Sequence, residues 1–292
     1  MNRKIAILVL LPLLTACART GGLASSASLC SNGNSLRIGV DSQLGDVPSE
    51  GLPQLSELSV ILSKASRCPV TIEPITNDHL GLQGLVRSSW DFAFLGPSLT
   101  VLALRDGAGY VPLRSLGKKA DSRSAILVNA NSPIAGYADL NNKRLGLLPE
   151  GSMLGYYLPR YNSYGLRTAV AFGSSFDDLK GMLKAGKVDA IAWDTQATPR
   201  PEGTKIAALD PHLLPEAALV MKSDYNSLDY QTMLNQLDGN AFQLPGFLRY
   251  APGSTPRLIA YHHMHKVVRD VTNWDRQAHT KSSDAAPHPS HR

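Results

Sequence analysis

No stretch of this 292-residue chain is apolar over enough length for a multi-span membrane protein, and no low-complexity block interrupts it; its 24 Gly and 19 Pro are spread throughout. With 43% hydrophobic, 18% charged and 7% aromatic residues, the composition is neither that of a disordered chain nor of a collagen-like repeat. An excess of one charge is missing too. The formal balance is +5, and without Arg3 and Lys4, in a segment read as removed, 27 basic residues face 24 acidic ones, or +3. That charge is scattered, so no nucleic-acid partner is expected. Catalytic signatures are lacking: there is no metalloprotease helix, Walker A loop or dinucleotide fingerprint. Gly151-Ser152-Met153-Leu154-Gly155 has no residue between its first Gly and the Ser, so it is not a nucleophile elbow. Histidines are sparse before His262-His263-Met264-His265, whose spacing does not complete a metal site. A basic surface helix carrying Lys266 and Arg269 is the expectation there, with no catalytic residue, metal or cofactor.

What is present begins with a targeting device over 1–16. Asn2-Arg3-Lys4 is a charged start, and Ile5 to Leu14 an apolar run too short to span a bilayer. Leu14-Thr15-Ala16-Cys17 then resembles the lipobox of bacterial lipoproteins, which implies lipidation of Cys17 and a membrane anchor facing the periplasm or exterior. The segment 17–35, rich in Ser, Gly and Ala, reads as a tether. Outside the cytoplasm disulfides persist. Cys30 precedes the first predicted strand and Cys68 the second, so a bridge is feasible if those strands are parallel neighbours; otherwise the two are separate buried thiols.

Beyond the tether, strands and helices alternate. Strands are predicted at 36–40, 69–75, 91–95, 123–129, 143–148, 169–172, 188–193 and 217–221, with helices between most of them. Asp91-Phe92-Ala93-Phe94-Leu95 is apolar on both faces, the pattern of a sheet covered on both sides. Two α/β units with a chain that crosses twice predict two lobes: 36–122 as lobe 1, 123–221 as lobe 2, 222–273 returning to lobe 1, and 274–292 as a disordered tail.

Four stretches in order carry a family resemblance. They are Trp90 to Ser98, Ser132-Pro133-Ile134 with Asp139 to Arg144, Pro149 to Tyr156, and Ala185-Gly186-Lys187-Val188-Asp189-Ala190. Together they resemble the phosphonate-type periplasmic binding proteins of ABC importers, a branch of the class II solute-binding proteins, over about Leu36 to Tyr225. The resemblance implies an α/β fold of two doubly wound lobes with a ligand cleft between them, binding rather than catalysis, and an ABC permease as partner to a monomer.

In open α/β sheets ligands gather beyond the carboxyl ends of strands, where helix N-termini favour anions. Two loops qualify: Gly96-Pro97-Ser98-Leu99-Thr100 and Glu150 to Tyr156. Ser98 and Ser152 are the expected anion binders, or plain helix caps. Gly96 and Gly155 would permit close backbone approach, Tyr156 would wall the cleft, and Asp194 would meet a distal amine or stay solvated. The sequence departs from the family where Met153 and Leu154 replace hydroxyl residues, and where Ser175-Phe176 replaces a common histidine. The expected ligand is a small phosphonate-, phosphite- or phosphate-like anion. The alternative is a periplasmic sensor or interaction partner of a signalling receptor, with a different ligand.

Overall fold

Short strands buried on both faces need helices above and below, and two such sandwiches form here. The computed structural model describes residues 29–30, 35–44, 52–117, 121–196, 200–225 and 227–284; Cys17 and its targeting segment lie outside them. The first lobe contains β1 (Leu36–Asp41), α1 (Leu52–Ser66), β2 (Val70–Ile75), α2 (Asp78–Val86), β3 (Phe92–Leu95), α3 (Pro97–Ala103) and β4 (Tyr110–Leu116). The second contains β5 (Ser124–Asn129), β6 (Arg144–Leu147), α4 (Leu158–Asn162), β7 (Ala169–Phe172), α5 (Phe176–Lys184), β8 (Ala190–Asp194) and β9 (Thr204–Leu209). The chain then returns as β10 (Ala217–Lys222), α6 (Ser227–Gly239) and α7 (His262–Asp284).

Each lobe holds a five-stranded mixed sheet, ordered β2-β1-β3-β10-β4 and β7-β6-β8-β5-β9. β1 runs parallel to β2 and β3, whereas β10 is antiparallel to β3 and β4. The second sheet repeats the plan: β6 runs parallel to β7 and β8, and β5 antiparallel to β8 and β9. Parallel pairing from Leu36 opposite Val70 brings the starts of β1 and β2 together, and there Cys30 and Cys68 form a disulfide with Cα atoms 5.8 Å apart.

Two expectations need correction. Ala217 to Met221, placed in the second lobe, lies between β3 and β4 of the first sheet, so the return crossing precedes residue 217. Its apolar run marks a buried strand, but which sheet it joins depends on distant partners. The segment after Trp274, read as disordered, continues α7 to Asp284. This polar stretch is held by tertiary contacts: Asp275 pairs with Arg160 and accepts a 2.6 Å hydrogen bond from the Tyr156 hydroxyl. Lys266 and Arg269 lie on the exposed face of α7, as expected, and its other face is buried. Met264, Val267, Val268 and Val271 are buried in an apolar cluster that also includes Leu99 of α3 and Leu158 of α4, so one helix packs on both lobes. His263 stacks at 3.9 Å on His212, which contacts Asp210; among the described residues no group of three His, Cys, Asp or Glu could hold a metal.

Candidate functional site

β1 and β3 end where α2 and α3 begin, and these ends of the first lobe face the 150–157 loop of the second. Between them lies a cavity of about 900 Å³, with Gln43, Asp78 and Ser98 on one side and Ser152, Phe176 and Asp194 on the other. Among the described residues lining it there is no Lys or Arg.

The lobes touch directly across one end of this cavity. The Met153 N–H donates to Ser98 Oγ at 3.3 Å, and His79 Nδ1 lies 2.8 Å from the Glu150 carbonyl oxygen. That carbonyl can only accept, so His79 carries its proton on Nδ1, and its Nε2 accepts from the Gln83 amide at 3.0 Å. Glycine is required at position 151, where φ is +125° and a β-carbon would stand 2.5 Å from the Asp78 carbonyl oxygen.

Two carboxyls dominate the chemistry of this contact. Asp41, at the end of β1 and 1% exposed, accepts from the Gln43 and Gly96 N–H groups, each at 2.9 Å. Burial pushes its pKa up to about 6, against the pull of those two bonds. Asp78, the first residue of α2 and 6% exposed, accepts from the Gln43 side-chain amide at 3.1 Å, and the Gln43, Ser98 and Ser152 side chains favour its charged form. Burial, and then the neighbouring Asp41, raise its pKa to about 8 despite those donors.

The Met153 N–H on Ser98 Oγ brings Ser98 beside the residue that follows Ser152, one serine from each lobe, and both are buried. Ser152 also caps the helical turn over Met153–Tyr157, accepting from the Gly155 N–H at 3.2 Å. Asp194 lines the same cavity at the end of β8, its Oδ1 accepting from the Gln196 N–H at 2.9 Å. The remaining expected residues have internal roles. At Gly96 a β-carbon would sit 2.7 Å from Asp41 Oδ2, so the close neighbour is that carboxylate. At Gly155 it would meet the Leu148 side chain at 2.6 Å. Tyr156 does not wall the cavity; its hydroxyl reaches away to Asp275, and its ring stacks on Phe172. Phe176 lines the cavity, and the hydroxyl of Ser175 caps α5 through the Asp178 N–H at 3.1 Å.

Sequence reasoning misses Asp41, Gln43 and Asp78. Asp41 carries a usable signal: a carboxylate directly after an apolar strand lies where ligands collect. Asp78 carries none, because an acid after the Asn77 cap reads as an ordinary first-turn residue.

Known proteins share this fold. No curated protein matches the chain. Among solved structures, the binding-protein component of an ABC phosphonate transporter from Pseudomonas aeruginosa is 16% identical over 82% of this chain and 87% of its own, with a TM-score of 0.57. A methylphosphonate complex of a Prochlorococcus marinus protein is 19% identical over 82% and 99%, with a TM-score of 0.59. A chloride-bound Xanthomonas citri protein is 16% identical over 82% and 98%, with a TM-score of 0.62. At such identities these likenesses speak for the fold. The family profile of the phosphonate ABC transporter periplasmic substrate-binding protein matches residues 48–224, more than half of the chain. The chain belongs to that family of periplasmic substrate-binding proteins, which bind a solute for an ABC importer and are not enzymes.

Proposed function

We propose that this protein is a monomeric solute-binding protein, lipid-anchored through Cys17 in the bacterial cell envelope, that delivers a small phosphonate-, phosphite- or phosphate-like anion to its permease. The observation that carries this reading is the pairing of Ser98 and Ser152, one from each lobe, beside the cavity. Hydroxyls from both sides let one oxyanion bond to both lobes at once. Its affinity is then greater for the closed form than for the open one, and that difference drives closure. Asp194, at the other wall, contacts the distal part of the ligand.

Thermal unfolding of the protein with methylphosphonate, phosphite, phosphate and sulfate tests this. A ligand at 100 times its Kd adds about 2.7 kcal/mol, a rise of several degrees in Tm. In a Ser98→Ala/Ser152→Ala variant the rise disappears; an unchanged rise there would remove these serines from the site. The absence of Lys and Arg from the described lining favours a second reading, in which the same fold holds a different ligand and reports to a periplasmic signalling receptor. In-membrane cross-linking separates the two: capture of the permease supports transport, and capture of a receptor domain supports sensing.

A further inference from the structure

Phosphate, phosphite and methylphosphonate are little more than an acid headgroup, and the cavity is far larger than such a group needs. Its volume, about 900 Å³, lies at the upper end of the range for pockets that enclose whole organic ligands. That room remains although the lobes already touch, through the Met153 N–H on Ser98 Oγ and His79 on Glu150. Much of the lining is apolar: Leu44, Leu80, Leu148, Leu154, Phe176 and Leu214 face the space from both lobes. Leu80, in the first turn of α2, is 49% exposed, so much of its apolar surface is not used by the protein's own core. Leu148 and Phe176 are firmer. Both pack on the cluster around Leu179 and Trp193, and the Phe176 ring meets Trp193 edge-on at 5.6 Å.

We infer that the ligand carries an apolar body beside its acid group, an alkyl chain or an aromatic ring, which lies along these side chains while Ser98 and Ser152 take the acid. The inference rests on the reading of those serines as the oxyanion site, and it narrows the ligand to an amphiphilic oxyanion. A bare anion leaves the apolar walls in contact with water and gains nothing from them. A methylene moved from water onto such walls strengthens binding about fourfold. Size therefore sets specificity along with charge, and organic phosphonates with long chains or rings are preferred over phosphate, phosphite and methylphosphonate. A phosphate ester or a sulfonate with the same body shares this chemistry.

Calorimetric titration of the protein with methyl-, butyl-, octyl- and phenylphosphonate, each below its micelle-forming concentration, tests this. Affinity should climb from methyl to octyl by about fourfold per methylene, with an increasingly negative heat-capacity change, and phenylphosphonate should bind tighter than methylphosphonate. Leu80→Gln and Phe176→Gln should each flatten that climb, and Leu80→Gln, at an exposed position, serves alone if the Phe176 variant does not unfold cooperatively. Affinity that is level or falls with chain length overturns the inference and leaves the oxyanion reading in place. A climb unchanged in the variants also overturns it, because the chain then lies elsewhere. Octanol and octylamine separate the two readings: if either binds as tightly as octylphosphonate, the apolar cavity stands and the oxyanion reading falls. If no member of either set binds, both fall. Octyl phosphate and octanesulfonate, titrated alongside, distinguish the sources, since the tightest of the three octyl acids names the headgroup.

Discussion

Gly151 shows how closely the lobes meet. Its positive φ disfavours any side chain, and an added methyl would press on the first turn of α2. Gly151→Ala should therefore prop the lobes apart without touching the Asp78 carboxyl, seen as a larger radius of gyration; an unchanged radius would mean that the loop yields instead. The two buried acids give a second expectation. Their folded pKa values, about 6 and about 8, lie above the unfolded value of 3.8, so the folded form holds extra protons between about pH 4 and pH 8. The stability they contribute is full below pH 4, falls as pH rises through that window and levels off above it. A tenfold change in proton affinity corresponds to about 1.4 kcal/mol, which makes the combined effect several kcal/mol. Urea midpoints should be higher at pH 5 than at pH 8, and Asp78→Asn should remove most of that difference; an equal slope in the variant would contradict the assignment. Ser98 and Ser152 are legible in the sequence because each sits between a strand and a helix. Asp78 is not, because its packing against Gly151 exists only once the two lobes touch.

At the scale of elements, α2 holds Asp78 in place. Asn77 caps it by accepting from the Leu80 N–H at 2.9 Å, and its loss as Asn77→Ala should cost about 1 kcal/mol in chemical denaturation. Fraying of that turn would also loosen Asp78, so hydrogen exchange should quicken at residues 78–82. Strands buried on both faces, such as Phe92–Leu95, are plain from their apolar runs. Tyr110–Leu116 and Thr204–Leu209 are not, because both are edge strands with mixed burial and polar or Pro interruptions. Residues 217–221 read correctly as a strand but in the wrong lobe, since local pattern records burial and says nothing of partners. The polar end of α7 reads as a tail for the same reason: what keeps it helical, Arg160 and Tyr156, lies over 100 residues away in the chain.

For the molecule as a whole, α7 stands beside the return crossing, where Tyr261 donates to the Glu216 carbonyl at 2.8 Å and His263 stacks on His212. It packs on α3 of one lobe and α4 of the other, so any opening of the cleft must bend or slide it. Asp275→Ala would free its far end from Arg160 and Tyr156 and should raise hydrogen exchange there while leaving the first lobe unchanged. The disulfide sets the frame of reference for such movement. Cys30–Cys68 joins the strand ends remote from the cavity, and closing that 38-residue separation should add about 4 kcal/mol of stability, measurable by reduction or Cys→Ser replacement. The covalent staple also has a mechanical consequence. If Cys17 carries the proposed lipid, a pull on it enters the first lobe at Cys30, and the bond to Cys68 shares that load between the starts of β1 and β2. The first lobe is then the fixed jaw. The second is the free one.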